Sequence, residues 1–325
     1  MNGKDAGVID NRNRIGILAE EDVDAALETA DALLVQDSAV CQKIREKVLE
    51  KMRKAKEKGM DILCSLPLSE EERSELEGEG FHYFAEPTAA GVEYANTFKL
   101  EELSVPVVFV GELLEDTNAI DTLFSLAGRF RRDGYQVCTI GARKDSRMAG
   151  VHSLPAFFYE PMLGEEKALR LNRFLYELTE EEQPDVVLIQ LPGGMFKFNN
   201  RHTNGMGIGA YLVSQAAECD CFVLSASCGF ASVDMFRDLD QKFRLCFGFG
   251  IDAAAVSNRV YDSMTQIEVY GKMEYYCLSP ERVKEMIQAY CVGSATPYFQ
   301  QFCEEEEQKL YQTVVSALAD QTVSY

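Results

Sequence analysis

Two segments of this chain hold residues of the type and spacing that chemistry requires. The first is Gly111-Glu112-Leu113-Leu114-Glu115-Asp116-Thr117-Asn118, set between a short apolar run and an amphipathic one. Strand, glycine, loop and helix in that order lay out a phosphate-binding loop. Such a loop needs a glycine-lined cradle of backbone N–H groups, a Lys for the terminal phosphates and a Ser or Thr for magnesium. Gly111 supplies the first glycine. The second glycine and the Lys are missing, and Glu112, Glu115 and Asp116 are expected to face any phosphate. Three uncompensated carboxylates beside a triphosphate each cost on the order of 1–4 kcal/mol at near-surface dielectric. Nor does Ile189-Gln190-Leu191-Pro192 end in the carboxylate that would hold magnesium. Both gaps argue against ATP hydrolysis, and Thr117 or Asn118 is expected to act as an ordinary helix N-cap.

The second segment is PDVVLIQLPGGMFKFNNRHTN, residues 184–204. Residues 185–191 form an apolar, β-branched run suited to a strand buried on both faces of a parallel sheet. Pro192-Gly193-Gly194 is expected to stop the sheet and to let backbone approach a ligand closely. Asn199, Asn200, Arg201, His202, Thr203 and Asn204 follow, where open α/β folds bind ligands, at the carboxyl end of a central strand. Their amides and guanidinium suit the backbone of an extended peptide. The competing reading is that these Asn side chains only stabilise their own loop.

A basic island in an otherwise acidic chain adds Arg143, Lys144 and Arg147, with Asp145, His152 and Ser153 beside them. An anion or an acidic peptide segment is the ligand expected there, against a solvated loop with locally paired charges. The expected ligand- or partner-binding set is therefore Gly111, Asn118, Arg143, Lys144, His152, Gly193, Gly194, Asn199, Asn200, Arg201 and Asn204. No catalytic residue and no cofactor is expected. No metal site is expected either: Cys219-Asp220-Cys221, with Cys228 nearby, has no second cysteine pair, and His82, His152 and His202 are too few for a His-rich centre. Ser225, Ser227 and Ser232 lack the GxSxG elbow of a hydrolase.

The elements needed to position these groups alternate along the chain. Residues 30–35, 61–66 and 81–84 are expected as strands, with helices over 39–57 and from Ser69 onward, giving βαβ units and a parallel sheet. A second series starts at Pro106: strand 107–110, helix 119–132, strand 136–140, helix 165–181, the central strand, helix 208–218 and strand 221–225. Beyond Ser227 the pattern is less regular, with a strand over 275–278, a helix over 280–290 and a terminal amphipathic helix over 299–318. The fold class is thus α/β: a Rossmann-like βαβ domain over 1–102, then a degenerate P-loop-like parallel-sheet domain over 103–325.

Composition bounds the function. The 325 residues are 46% hydrophobic and 26% charged, ordinary for a globular protein, and the net charge is −21. That field repels nucleic acid and anionic lipid. Ten cysteines fall mostly inside apolar stretches, no run approaches the ~18 apolar residues of a membrane span, and no signal pattern opens the chain. Reduced thiols and a cytoplasmic location are the expectation.

GKDAGVIDNR at 3–12, DALLVQDS at 31–38, DGYQVCTIGAR at 133–143, GVHSLPAFF at 150–158, and PDVVLIQLPGG through NNRHTN together resemble the peptide maturation system proteins. That family is encoded beside radical-SAM maturases and Cys-rich precursor peptides in natural-product gene clusters. The similarity covers nearly the whole chain and lies in the order and spacing of the motifs. It implies a role in maturing a ribosomally made peptide, through binding of the precursor peptide, its radical-SAM maturase or both, without catalytic residues to carry over. It also implies a Rossmann-like part followed by a domain like dethiobiotin synthetase and nitrogenase iron protein. Family members carry a strand and helix ahead of the GKDAG segment, so residues 1–102 are expected to hold a truncated or abbreviated first domain. The alternative is a nucleotide-dependent enzyme of the same pathway with a diverged pocket. Self-association is left open.

Overall fold

In the computed structural model the two expected alternations form two parallel sheets. The structure describes residues 2–84, 99–200, 203–261 and 275–322. The smaller sheet is β1 (Ala32–Val35), β2 (Asp61–Cys64) and β3 (Phe81–Tyr83), in that order and all parallel. Helix Arg45–Glu57 packs on it through Leu49, Met52 and Ala55, which join Ile62, Cys64 and Leu66 in one core. The single helix expected over 39–57 is broken at Ile44 (φ −110°, ψ 27°), leaving Ala39–Lys43 as a separate turn capped by Ser38. Helix Glu70–Leu76 starts from a capping box in which Ser69 and Glu72 each satisfy the other's backbone N–H.

The larger sheet takes seven strands: β4 (Val107–Glu112), β5 (Val137–Gly141), β6 (His152–Ser153), β7 (Val186–Gly194), β8 (Cys221–Ser227), β9 (Ala253–Ser257) and β12 (Tyr298–Gln300). Their order is β12-β9-β8-β4-β7-β5-β6, and every neighbouring pair is parallel. β10 (Arg259–Tyr261) and β11 (Tyr275–Cys277) make a separate antiparallel pair.

Alternation along each strand divides the core in two. Val108 and Val110 face helix Ala119–Arg132 and the C-terminal helix Glu304–Thr322, through Leu123, Leu126, Phe130, Leu310, Tyr311 and Val314. Val107 and Phe109 face the other way, into a core shared with helices Gly164–Glu182, Ile208–Ala216, Val233–Phe247 and Pro280–Tyr290. Leu310, Tyr311 and Val314 of the C-terminal helix are thus spent on packing within the chain.

Two differences from the sequence reading matter for the site. The terminal helix begins at Glu304, not at 299, and residues 298–300 instead add the edge strand beside β9. Pro192-Gly193-Gly194 does not stop the sheet: β7 runs through it, and Gly194 pairs with Glu112 after a register shift between Val110 and Glu112.

Candidate functional site

β4 lies where the chain reverses direction across the large sheet, with β7, β5 and β6 on one side and β8, β9 and β12 on the other. Crevices at such switch points, outside the carboxyl ends of the strands, are where open α/β sheets bind ligands. The loop 113–118 leaves β4 at that point and enters helix Ala119–Arg132.

The N–H cradle of a phosphate loop is present, and it is already filled. Glu112 turns its carboxylate back under the loop: Oε1 accepts the N–H of Asp116 at 3.2 Å and Oε2 accepts that of Thr117 at 3.1 Å. The N–H of Ala119, the first residue of the helix, is also directed at this carboxylate. Helix N-termini favour an anion because several N–H groups lack intrahelical partners and the peptide dipoles add in phase. Here a side chain of the loop itself supplies that anion. Burial, and the nearby Asp116 carboxylate, push the Glu112 carboxyl up to about 7, although the three N–H groups pull the other way.

The rest of the loop is tied down on all sides. Thr117 donates its hydroxyl to the carbonyls of Leu114 (3.0 Å) and Ser225 (3.2 Å). Ser225 and Gln301 both donate to the Thr117 carbonyl, and Gln301 also reaches Thr122 at 3.0 Å. Arg259 Nη1 donates to the Asp116 carbonyl at 2.6 Å while its guanidinium lies 4.2 Å from the centre of the Tyr275 ring. The Tyr261 hydroxyl donates to the Glu115 carbonyl. Asp116 and Asn118 have left-handed backbone, with φ of 67° and 68°. The first stands where a phosphate loop places its second glycine, so the loop's conformation survives although its chemistry has changed.

Asn118 occupies the N-cap position without capping. Its amide donates to Asp121 (3.0 Å) and accepts from the Ser257 hydroxyl (2.7 Å), and its side chain makes no capping bond to the helix. The expected N-cap role passes to Glu112, whose carboxylate reaches the exposed N–H groups from inside the loop.

Gly111 serves the core. A methyl group there would stand 2.9 Å from Phe222 Cε2, 3.1 Å from Met195 Sδ and 3.2 Å from Leu191 Cδ1. Gly194 serves Asn204, whose carboxamide lies where a Cβ on Gly194 would project. Asn204 is buried, donates to the carbonyls of Phe196 (2.6 Å) and Leu113 (2.9 Å), and accepts from the Glu115 N–H (3.0 Å). It therefore staples the 193–204 segment to the loop after β4, and its polar atoms face the scaffold. Gly193, with φ of 72°, lies under Glu115, whose Oε1 is 3.7 Å from the place a Cβ would take. Asn200 sits exposed on the outer limb and accepts from Lys197 at 2.6 Å, with Asn199 half-buried beside it. Arg201, His202 and the Lys144 side chain lie outside the described residues.

Within the basic island, Arg143 is compensated. Arg143 makes two 3.0 Å bonds to Asp145, which also accepts from Gln36 of the smaller unit. Asp145 first, and more weakly Asp116 and Glu112, hold the Arg143 guanidinium above its ordinary value, so this cation stands beside the acidic loop. Arg147 lies 5.9 Å from the Phe84 ring centre. His152 is elsewhere: its Nε2 is 2.6 Å from Glu182 at the sheet's edge, away from the loop. Gln190, at the position of a magnesium carboxylate, is buried and accepts the Ala142 N–H at 3.0 Å.

The site thus joins Gly111, Asn118, Gly193, Gly194 and Asn204, with Arg143 alongside. A DUF1611 family protein from Anabaena variabilis has a similar structure, with a TM-score of 0.58, 13% identity, and coverage of 92% of this chain and 84% of that one. The likeness is one of fold alone. HypB from Helicobacter pylori, solved with nickel, matches with a TM-score of 0.35, 15% identity, and coverage of 67% of this chain and 88% of its own. Cobyrinic acid a,c-diamide synthase from Mycobacterium smegmatis, solved with ADP and magnesium, gives 0.38, 11%, 65% and 94%. No protein-family model matches the chain, and no curated protein matches it. Among the described residues, no helix is long and apolar enough to cross a membrane.

Sequence reasoning missed Arg259, Tyr261, Ser225, Ser257 and Gln301. The order of the large sheet brings Ser225, Ser257 and Gln301 to the loop, and the separate β10–β11 pair brings Arg259 and Tyr261, neither of which the local sequence discloses. Glu112 was legible as a misplaced charge; its inward turn was not.

Proposed function

We propose that this protein is a non-catalytic accessory factor in the maturation of a ribosomally made, Cys-rich peptide, binding the precursor peptide, its radical-SAM maturase or both. One observation supports the non-catalytic part above all: the Glu112 carboxylate already accepts the N–H groups of Asp116 and Thr117. A nucleotide phosphate would have to displace a bonded carboxylate and then sit beside it without a loop Lys, which like-charge repulsion opposes. The partner-binding part draws on the family resemblance and on the exposed Asn200 limb, which Asn204 anchors above the central strand. Amides displayed on a fixed limb suit the backbone of a flexible chain.

A nucleotide-dependent activity in the same pathway has one feature in its favour. Arg143 stands close enough to feel Asp116 and Glu112 and is the candidate to replace the missing loop cation.

Calorimetry and pull-down with a Cys-rich precursor peptide and a radical-SAM maturase of the kind the resemblance implies test the proposal. Binding to at least one, unaffected by added nucleotide, is expected. Failure to bind either, or binding that requires ATP or GTP, overturns it.

A further inference from the structure

A separate cluster lies at the edge of the large sheet. Cys138 is the second residue of β5, His152 opens β6, and Glu182 ends helix Gly164–Glu182. The thiol sulfur, a ring nitrogen and a carboxylate oxygen all lie within 4.8 Å of one another, with His152 Nε2 2.6 Å from Glu182 Oε1. The fold dictates the convergence. Parallel pairing sets His152 opposite Ile140, Cys138 shares Ile140's face two residues earlier, and helix Gly164–Glu182 covers that face through Leu171, Leu175 and Leu178.

We propose that Cys138, His152 and Glu182 form a zinc site with three protein ligands and a fourth position open to water. A thiolate, an imidazole and a carboxylate are the donor set of a borderline-soft divalent ion, and three protein ligands with one open position is a common zinc arrangement. Zinc bonds of about 2.0–2.3 Å in a tetrahedron hold ligand atoms roughly 3.2–3.8 Å apart. From the present spread the 2.6 Å His152–Glu182 contact opens and any separation near the 4.8 Å limit closes by about 1 Å, shifts within the reach of side-chain rotation. Entry is from the surface, since the His152 and Glu182 side chains are 39% and 38% exposed while Cys138 is buried.

Binding exchanges one proton for the ion. The Cys138 S–H bond breaks, an S–Zn bond forms and the proton leaves to solvent; thiolate and carboxylate then neutralise Zn²⁺. Only the thiolate ligates, so metal and proton compete for the sulfur. The consequence is mechanical. β6 has only two residues, and a metal there would fasten the end of the 142–151 segment that carries Arg143.

Metal-depleted protein titrated with Co²⁺, the spectroscopic probe for zinc, tests this. A near-ultraviolet thiolate-to-cobalt charge-transfer band and visible bands of four-coordinate cobalt are expected, both lost when Zn²⁺ is added. Cys138→Ser should remove the charge-transfer band. His152→Ala and Glu182→Gln, at half-exposed positions where circular dichroism can verify the fold, should weaken cobalt binding at least tenfold. No cobalt spectrum at micromolar metal, unchanged affinity in Glu182→Gln, or a charge-transfer band that survives in Cys138→Ser overturns the site.

Discussion

Glu112 combines a half-buried side chain whose carboxylate is turned inward, a helix N-terminus above it and a carboxylate neighbour. Burial and Asp116 raise its folded pKa from the ordinary 4.5 to about 7. A raised acid binds its proton more tightly in the folded chain than in the unfolded one, so stability falls as pH rises between those two values. Glu112→Gln keeps an acceptor for the N–H groups and removes the titration. Wild type should lose on the order of 1–3 kcal/mol more than Glu112→Gln between about pH 4.5 and 7. Urea unfolding across that range measures it, and parallel profiles for the two proteins would contradict the buried carboxylate. The composition of the loop disclosed the charge conflict, since Glu112, Glu115 and Asp116 replace what a phosphate loop needs. It could not disclose the outcome, because the inward turn of Glu112 depends on φ 67° at Asp116 and on the carbonyl partners that hold Thr117.

At the scale of elements, the strand–loop–helix units from β4 to β8 were legible because apolar β-branched runs and amphipathic helices alternate there without ambiguity. β6 within that run, and β9 and β12 beyond it, were not. Ala253-Ala254-Ala255-Val256-Ser257 has the alanines of a helix and becomes a strand because β8 and β12 pair with its two edges while the two cores cover its faces. Tyr298–Gln300 is too short to show a period, and the acidic helix after it absorbs its aromatics into an apparent longer helix. The expectation that Pro192-Gly193-Gly194 ends β7 failed because Glu112, on β4, still pairs with Gly194. That pairing places Asn204 between two loops. Asn204→Ala would leave two carbonyls and one N–H without their partner in a buried site. A loss of roughly 2–4 kcal/mol is expected, read as an earlier denaturation midpoint. A variant as stable as wild type would show that the two loops hold each other by other means.

The whole molecule pairs a small three-stranded parallel unit with a seven-stranded parallel one, the first reaching the second through Gln36 on Asp145 and Arg147 over Phe84. Its net charge of −21 and its acidic central loop repel polyphosphates and attract cations. The N–H cradle after β4 is occupied by the protein's own Glu112 carboxylate. Thermal unfolding with millimolar ATP–Mg²⁺ and GTP–Mg²⁺ tests it most directly. A nucleotide present at a hundred times its Kd would stabilise the folded chain by about 2.7 kcal/mol. An unmoved midpoint is expected with either nucleotide; a saturable rise with one of them would show that the cradle still takes a phosphate.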